Sequence, residues 1–329
     1  MNMKLKTLLC VGVLLLCSCS GKNKNSSEDT SSQVIDTSVL KIVCPTGAPA
    51  VAFYNQAENP NFETNSTPSN IVAMMNESSN KDIVVIDTVS GIRAINSGAP
   101  YKMAANITLG NFYIASTGND KDGVMSPGDK IVLFGQNQTP DKIFHYLYGN
   151  IYNETIQYVT NVQDASKCLA SGKNLVTQQD VDYVFIAQPA LFATINNKDS
   201  TTYGRSSVYV NIQEEYKKKS NNLSLIQASV FVKNTSDKTI VDSFLSNLEK
   251  DINDCLENPS LITEGMGKIS SEESLALYGI NSNVAKKVVE DNNSLGLGYV
   301  NAYSNKQAID SFINLFEVSA TNEEIYYKQ

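Results

Sequence analysis

Side chains able to hydrogen-bond a small molecule gather in four short turns: Gly47-Ala48-Pro49-Ala50, Asp87-Thr88-Val89-Ser90, Gln136-Asn137-Gln138-Thr139 and Ala187-Gln188-Pro189-Ala190. Each follows a strand-like apolar run and opens a helix-like one, where free backbone N–H groups can meet a ligand. Gly47 lets a backbone approach closely, and Thr88, Ser90, Asn137, Gln138, Thr139 and Gln188 offer neutral donors and acceptors. Ala48, Pro49 and, on two further strand-like runs, Thr108 and Gln227 complete the candidate set. Any one of these residues alone would serve as a cap or loop residue. Four such turns at one place would make a binding site, because capping needs no convergence. Catalysis lacks its parts. His145, the only histidine, falls inside a helix-like run with no nucleophilic Ser or Cys beside it. There is no G-x-S-x-G elbow and no metal-binding spacing of Cys or His. No catalytic residue, metal or cofactor is expected.

These turns need a scaffold, and the periodicity supplies one. Apolar strands are expected at residues 40–44, 82–86, 129–134, 156–160 and 181–187, and helices at 48–56, 68–77, 87–97, 141–149 and 161–171. This alternation is βαβ grammar and predicts an α/β fold with mostly parallel sheets. Thr139 reads as an N-cap with Pro140 at the first helical position. The order of elements in the first third returns in the middle, so two lobes of similar build are expected. Two candidate crossing strands, 107–116 and 225–233, stand where the chain would pass between them. The tail reads as helical over 238–258, 272–278, 282–291 and 305–316 and is expected to pack on the first lobe. The lobes then comprise 39–116 with 231–329, and 117–230. Neither arginine falls on a cleft turn: Arg93 lies one turn into a helix and Arg205 in a loop. That disfavours an α-amino acid clamped by a guanidinium. Phe53, Tyr54, Phe112 and Tyr113 are the aromatic residues near the turns, with a core role weighing equally against a ligand contact.

Composition narrows the function classes further. The formal charge of −8 disfavours nucleic acid. At the N-terminus, Lys4 and Lys6 precede a nine-residue apolar run, 8–16, too short to span a bilayer. Leu16, Ser18 and Cys19 then resemble the lipobox of bacterial lipoproteins. That resemblance implies removal of residues 1–18, lipid on Cys19 and export, with the protein held at the outer face of the cell membrane or in the periplasm. Residues 19–38 are polar and read as a flexible tether reaching on the order of 25 Å. Cys44, Cys168 and Cys255 are far apart, sit in apolar surroundings and are expected as buried free thiols.

The body of the chain resembles the substrate-binding proteins of ABC importers of the nitrate, sulfonate and thiamine-precursor type. The resemblance rests on Pro45-Thr46-Gly47-Ala48-Pro49-Ala50, Asp82 to Ser90, Asn106 to Ile114, Gly135-Gln136-Asn137-Gln138-Thr139-Pro140 and Asp182 to Phe192, in that order. It covers the chain from Lys41 to Tyr327. It implies a two-lobed type II periplasmic-binding-protein fold, the Venus flytrap, closing on a small solute for delivery to an ABC permease. A sulfonate, a nitrate-like anion and a thiamine-precursor-like heterocycle are the implied solutes, and a monomer is implied. An exported, lipid-anchored hydrolase and a surface adhesin stand as the alternatives.

Overall fold

A computed structural model of the chain describes residues 35–320 and 323–329. Cys19, the export signal and the tether through residue 34 lie outside the described residues. Eleven strands are described: β1 Ile42–Pro45, β2 Phe62–Asn65, β3 Ile83–Asp87, β4 Tyr101–Thr108, β5 Phe112–Ser116, β6 Ile131–Phe134, β7 Ile156–Val159, β8 Tyr183–Ala187, β9 Ser207–Asn211, β10 Ala228–Lys233 and β11 Leu297–Asn301. They form a six-stranded sheet, β11-β4-β10-β3-β1-β2, and a five-stranded sheet, β7-β6-β8-β5-β9.

The two sheets share one plan. In the first, β1 lies parallel to β2 and β3, with Ile42 opposite both Phe62 and Ile83. In the second, β6 lies parallel to β7 and β8, with Ile131 opposite both Ile156 and Tyr183. Beyond the third strand of each sheet comes one antiparallel strand, β10 or β5. These are the first strands the chain forms after each passage between sheets. The continuous apolar run Ile83 to Ile86 is fully buried, as a parallel strand covered on both faces requires.

The passages differ in place from the sequence expectation. Residues 107–116 do not form one strand. The chain leaves the first sheet at Thr108, turns through Leu109 to Asn111, and enters the second as β5. Phe112 to Ser116, expected with the first lobe, therefore pairs with β8 and β9. Ala228 to Val230, expected with the second, pairs with β3 and β4. Glycine drives the first break. Gly110 has φ +100°, and a Cβ on Gly296, itself at φ +72°, would lie 2.0 Å from the Gly110 carbonyl oxygen. Two bare backbones meet there, and Leu109 N–H donates to the Gly296 carbonyl at 2.7 Å.

Helices follow most of the strands. Thr88–Asn96 is capped by Asp87, whose Oδ1 accepts from Ser90 N–H at 2.8 Å. Val162–Ser171 is capped by Asn161 and Lys238–Glu257 by Asp237, as short polar side chains before helices do. The helix expected at 48–56 breaks into Ala48–Val51 and a 3-10 turn, Tyr54–Gln56. Helix Thr139–Tyr148 takes Gln138, not Thr139, as its N-cap residue, and no side chain caps it. The tail returns to the first sheet through β11 on β4, a strand the sequence reading missed. Helix Lys306–Asn314 then buries Ile309, Phe312 and Ile313 in a cluster that also contains Tyr101, Met103 and Phe231.

Candidate functional site

The carboxyl ends of β1, β3, β6 and β8 frame a cavity of about 510 Å³ between the sheets. Pro45, Thr46, Pro49, Asp87, Ser90 and Arg93 line it from the first sheet's elements. Phe112, Phe134, Asn137, Gln138, Thr139, Pro140 and Ala187 line it from the second. Gln227 and Ala228 enter from the return passage and Phe316 from the tail. Lining residues thus come from elements of both sheets, the return passage and the C-terminal segment.

The first wall is the start of helix Thr88–Asn96. Val89, Ser90 and Arg93 face the cavity together because residues three and four apart share a helix face. Burial pushes the Asp87 carboxyl above its ordinary range, against the opposing pull of the Ser90 hydrogen bonds and the Arg93 charge. One Arg93 nitrogen donates to the Phe316 carbonyl at 3.3 Å. Among the described residues no carboxylate pairs with Arg93 within 4.0 Å.

The second wall is a loop held from behind. Asn137 adopts φ +61°, a conformation Asn tolerates better than most residues, and its N–H donates to Asp141 Oδ2 at 2.7 Å. The other Asp141 oxygen accepts from Tyr158 O–H at 2.7 Å and lies 2.9 Å from His145 Nδ1. The only histidine therefore braces a carboxylate under the loop and does not face the cavity. At the back, Gln227 N–H donates to the Thr108 carbonyl at 2.9 Å, while the buried Gln227 Oε1 has no hydrogen-bond partner among the described residues.

Solved structures with this arrangement carry related descriptions. An ABC transporter structure from Parabacteroides distasonis matches with a TM-score of 0.63 and 16% identity, covering 85% of this chain and 92% of that one. The periplasmic aliphatic sulphonate binding protein SsuA from Escherichia coli matches with a TM-score of 0.59 and 12% identity, covering 88% and 92%. This is the fold of the ABC-importer binding proteins. The C27S mutant of DSZB in complex with biphenyl-2-sulfinic acid also matches, with a TM-score of 0.53 and 9% identity, covering 87% and 96%. No protein-family model and no curated protein matches the sequence.

Within this binding-protein fold the candidate residues divide. Pro49, Ser90, Asn137, Gln138, Thr139 and Gln227 line the cavity. The others do not. Thr88 is fully buried, and its hydroxyl meets Ser229 Oγ at 2.7 Å, which in turn accepts from Asn106. Thr108 is fully buried beside it. Gly47 and Ala48 place backbone behind the cavity, with Gly47 N–H donating to the Tyr278 carbonyl at 2.7 Å. Gln188 is spent on contact between the two sheets' elements: its Nε2 donates to Ser294 Oγ at 3.3 Å and its Oε1 accepts from Phe192 N–H. Tyr113 O–H donates to the Ser294 carbonyl at 3.2 Å, reinforcing that contact. Of the four turns, the last therefore gives the cavity lining only Ala187.

Arg93 corrects the sequence reading, which set it aside as lying beyond the turn. Phe53 and Tyr54 are core, stacked or packed within the first sheet's cluster, whereas Phe112 lines the cavity. Cys44, Cys168 and Cys255 are buried free thiols. Among the described residues no helix is long and apolar enough to cross a membrane, and no group of three His, Cys, Asp or Glu could hold a metal ion.

Proposed function

We propose that this chain is the solute-binding component of an ABC importer, closing its two lobes on a small molecule and handing it to the permease. The observation that carries the reading is the cavity whose lining comes from elements of both sheets and from the return passage, so that one ligand would bridge the lobes and favour the closed state. The lobes part at residues 109–111 and between Asn211 and Ala228. In this reading Pro49, Ser90, Asn137, Gln138, Thr139 and Gln227 contact the solute, Arg93 joins them, and the remaining candidates shape the cleft. The chain acts as a monomer without catalytic residues, held at the membrane by lipid on Cys19. Sulfonates, nitrate-like anions and thiamine-precursor-like heterocycles are the solute classes to try first, given the sulphonate-binding neighbour.

A thermal-unfolding screen of the purified protein against these classes, neutral sugars, amines, amino acids and aromatic acids tests the proposal. A true ligand at a hundredfold excess over its dissociation constant stabilises the folded state by about 2.7 kcal/mol. Unshifted unfolding throughout, or turnover of a compound that is lost on His145→Gln, would refute it.

A further inference from the structure

Resting on the solute-binding reading, we infer that the cleft takes a small organic monoanion with an aromatic body, its charged group held by Arg93 and its ring lying against Phe112, Phe134 and Phe316.

The charge follows from what the cavity offers. Among the described residues Asp87 and Arg93 are the only charged ones lining it. Asp87 is committed to its helix, accepting from Ser90 N–H at 2.8 Å. Arg93 gives one bond to the Phe316 carbonyl, which leaves most of a five-donor planar fork for an oxyanion. Carboxylate and sulfonate match that fork. A second negative charge on the ligand would meet the Asp87 carboxylate on the same helix start, so a phosphate dianion is disfavoured.

The body follows from the walls. Phe112 and Phe134 stand edge to face with ring centroids 6.2 Å apart, and Phe316 arrives from the tail beside the Arg93 contact. Nitrate or a short alkanesulfonate would leave much of the 510 Å³ filled with water against phenylalanine. A ring displaces that water and meets aromatic edges and faces in the geometries they favour. Gln227 places its unpartnered Oε1 in a buried position at the back of the cleft, where a ring hydroxyl or amine would satisfy it. The neutral donors Thr46, Ser90 and Thr139 complete the polar complement.

Calorimetric titration of the purified protein with benzenesulfonate, benzoate, ethanesulfonate, benzamide and inorganic phosphate tests the inference, run beside the wider solute panel. The two aromatic anions should bind at least tenfold more tightly than ethanesulfonate and benzamide. Arg93→Gln should weaken both at least tenfold, with its unliganded unfolding midpoint measured alongside because the variant also loses the bond to the Phe316 carbonyl. Phe134→Leu, which keeps apolar volume, should weaken benzenesulfonate and leave ethanesulfonate unchanged. Ethanesulfonate binding as tightly as benzenesulfonate, or a folded Arg93→Gln that binds both aromatic anions undiminished, overturns the inference. Binding confined to phosphate or to a neutral solute also overturns it and leaves the solute-binding reading standing, whereas silence across the whole panel removes both.

Discussion

Replacing Gly296 by alanine tests the account of how the chain passes between its sheets, and Gly98→Ala is its matched control. Both glycines have positive φ, +72° and +98°, so an alanine Cβ strains either backbone by about 1–2 kcal/mol. Some of that is offset by about 0.4–1 kcal/mol through the less disordered unfolded chain. At Gly98 nothing lies within 4 Å of the new methyl group, and the net loss should stay near 1 kcal/mol. At Gly296 the methyl would sit 2.0 Å from the Gly110 carbonyl oxygen and 2.7 Å from its carbon. That neighbour is backbone, and relief requires a shift of roughly 1.3–1.6 Å to reach ordinary C···O contact. Such a shift stretches the Leu109 N–H to Gly296 carbonyl bond, worth about 1 kcal/mol, and overpacking adds about 1–3 kcal/mol. Gly296→Ala should therefore lose about 3–5 kcal/mol in urea unfolding. It should also weaken any ligand, because the displaced segment links the two sheets. Losses equal to within about 0.5 kcal/mol in the two variants would refute the close backbone contact as the reason for glycine here.

Further outcomes follow from caps, thiols and the lobe contact. Thr139→Ala should change urea stability by less than about 0.5 kcal/mol, since no side chain caps that helix. Asp237→Ala removes the acceptor for Thr239 and Ile240 N–H and should cost about 1 kcal/mol, so equal effects would contradict the cap assignment. Burial, then Asp251 and Asp254, push the Cys255 thiol up to about 12, while an unfolded thiol titrates near about 8.5. Above that lower value the unfolded state releases a proton the folded state keeps, so the thiol's contribution is full below it and is lost as pH rises towards about 12. Wild type should therefore lose more stability between pH ~8.5 and ~10.5 than Cys255→Ala does, and parallel profiles would contradict the burial argument. Ser294→Ala removes the hydroxyl that Gln188 bonds and should shift ligand affinity several-fold by loosening the contact between the two sheets' elements; unchanged affinity and stability would show that the contact is idle.

The fold was legible where the signal is local. Ile83 to Ile86 is a run of buried strand residues with no alternation, and parallel strands need nothing more to be recognised. Tail helices such as Ser282–Glu290 carry their apolar stripe in the sequence. Two of the missed strands have the opposite property. Phe62–Asn65 lies at a sheet edge with only Phe62 buried, and Ser207–Asn211 is an edge strand with exposed Ser207 and Val208. An edge strand contributes little apolar surface, so its identity rests on the partner that pairs with it. The passage at 109–111 was misread for a related reason. Its cause is the approach of Gly296 to Gly110, nearly two hundred residues apart in sequence.

The site divides along the same line. Pro49, Ser90 and Asn137 to Thr139 reach the cavity because strand-to-helix turns at the carboxyl edges of parallel strands have few other places to point. Thr88 and Gln188 occupy such turns as well, yet each is drawn away by a partner from another part of the fold, Ser229 on β10 and Ser294 before β11. No reading of the turn alone could anticipate those partners. Arg93 is the instructive case, because its signal was present. It follows Ser90 by three residues and Val89 by four, on the same face of the same helix. Long helical side chains also lean back towards the N-terminus and cover the turn before their own Cα. A guanidinium one turn into a helix can thus overhang the site at its start. Applied to both arginines, that geometry selects Arg93 and leaves Arg205, whose Nη1 donates to Asn119 Oδ1 at 2.8 Å, outside the cleft.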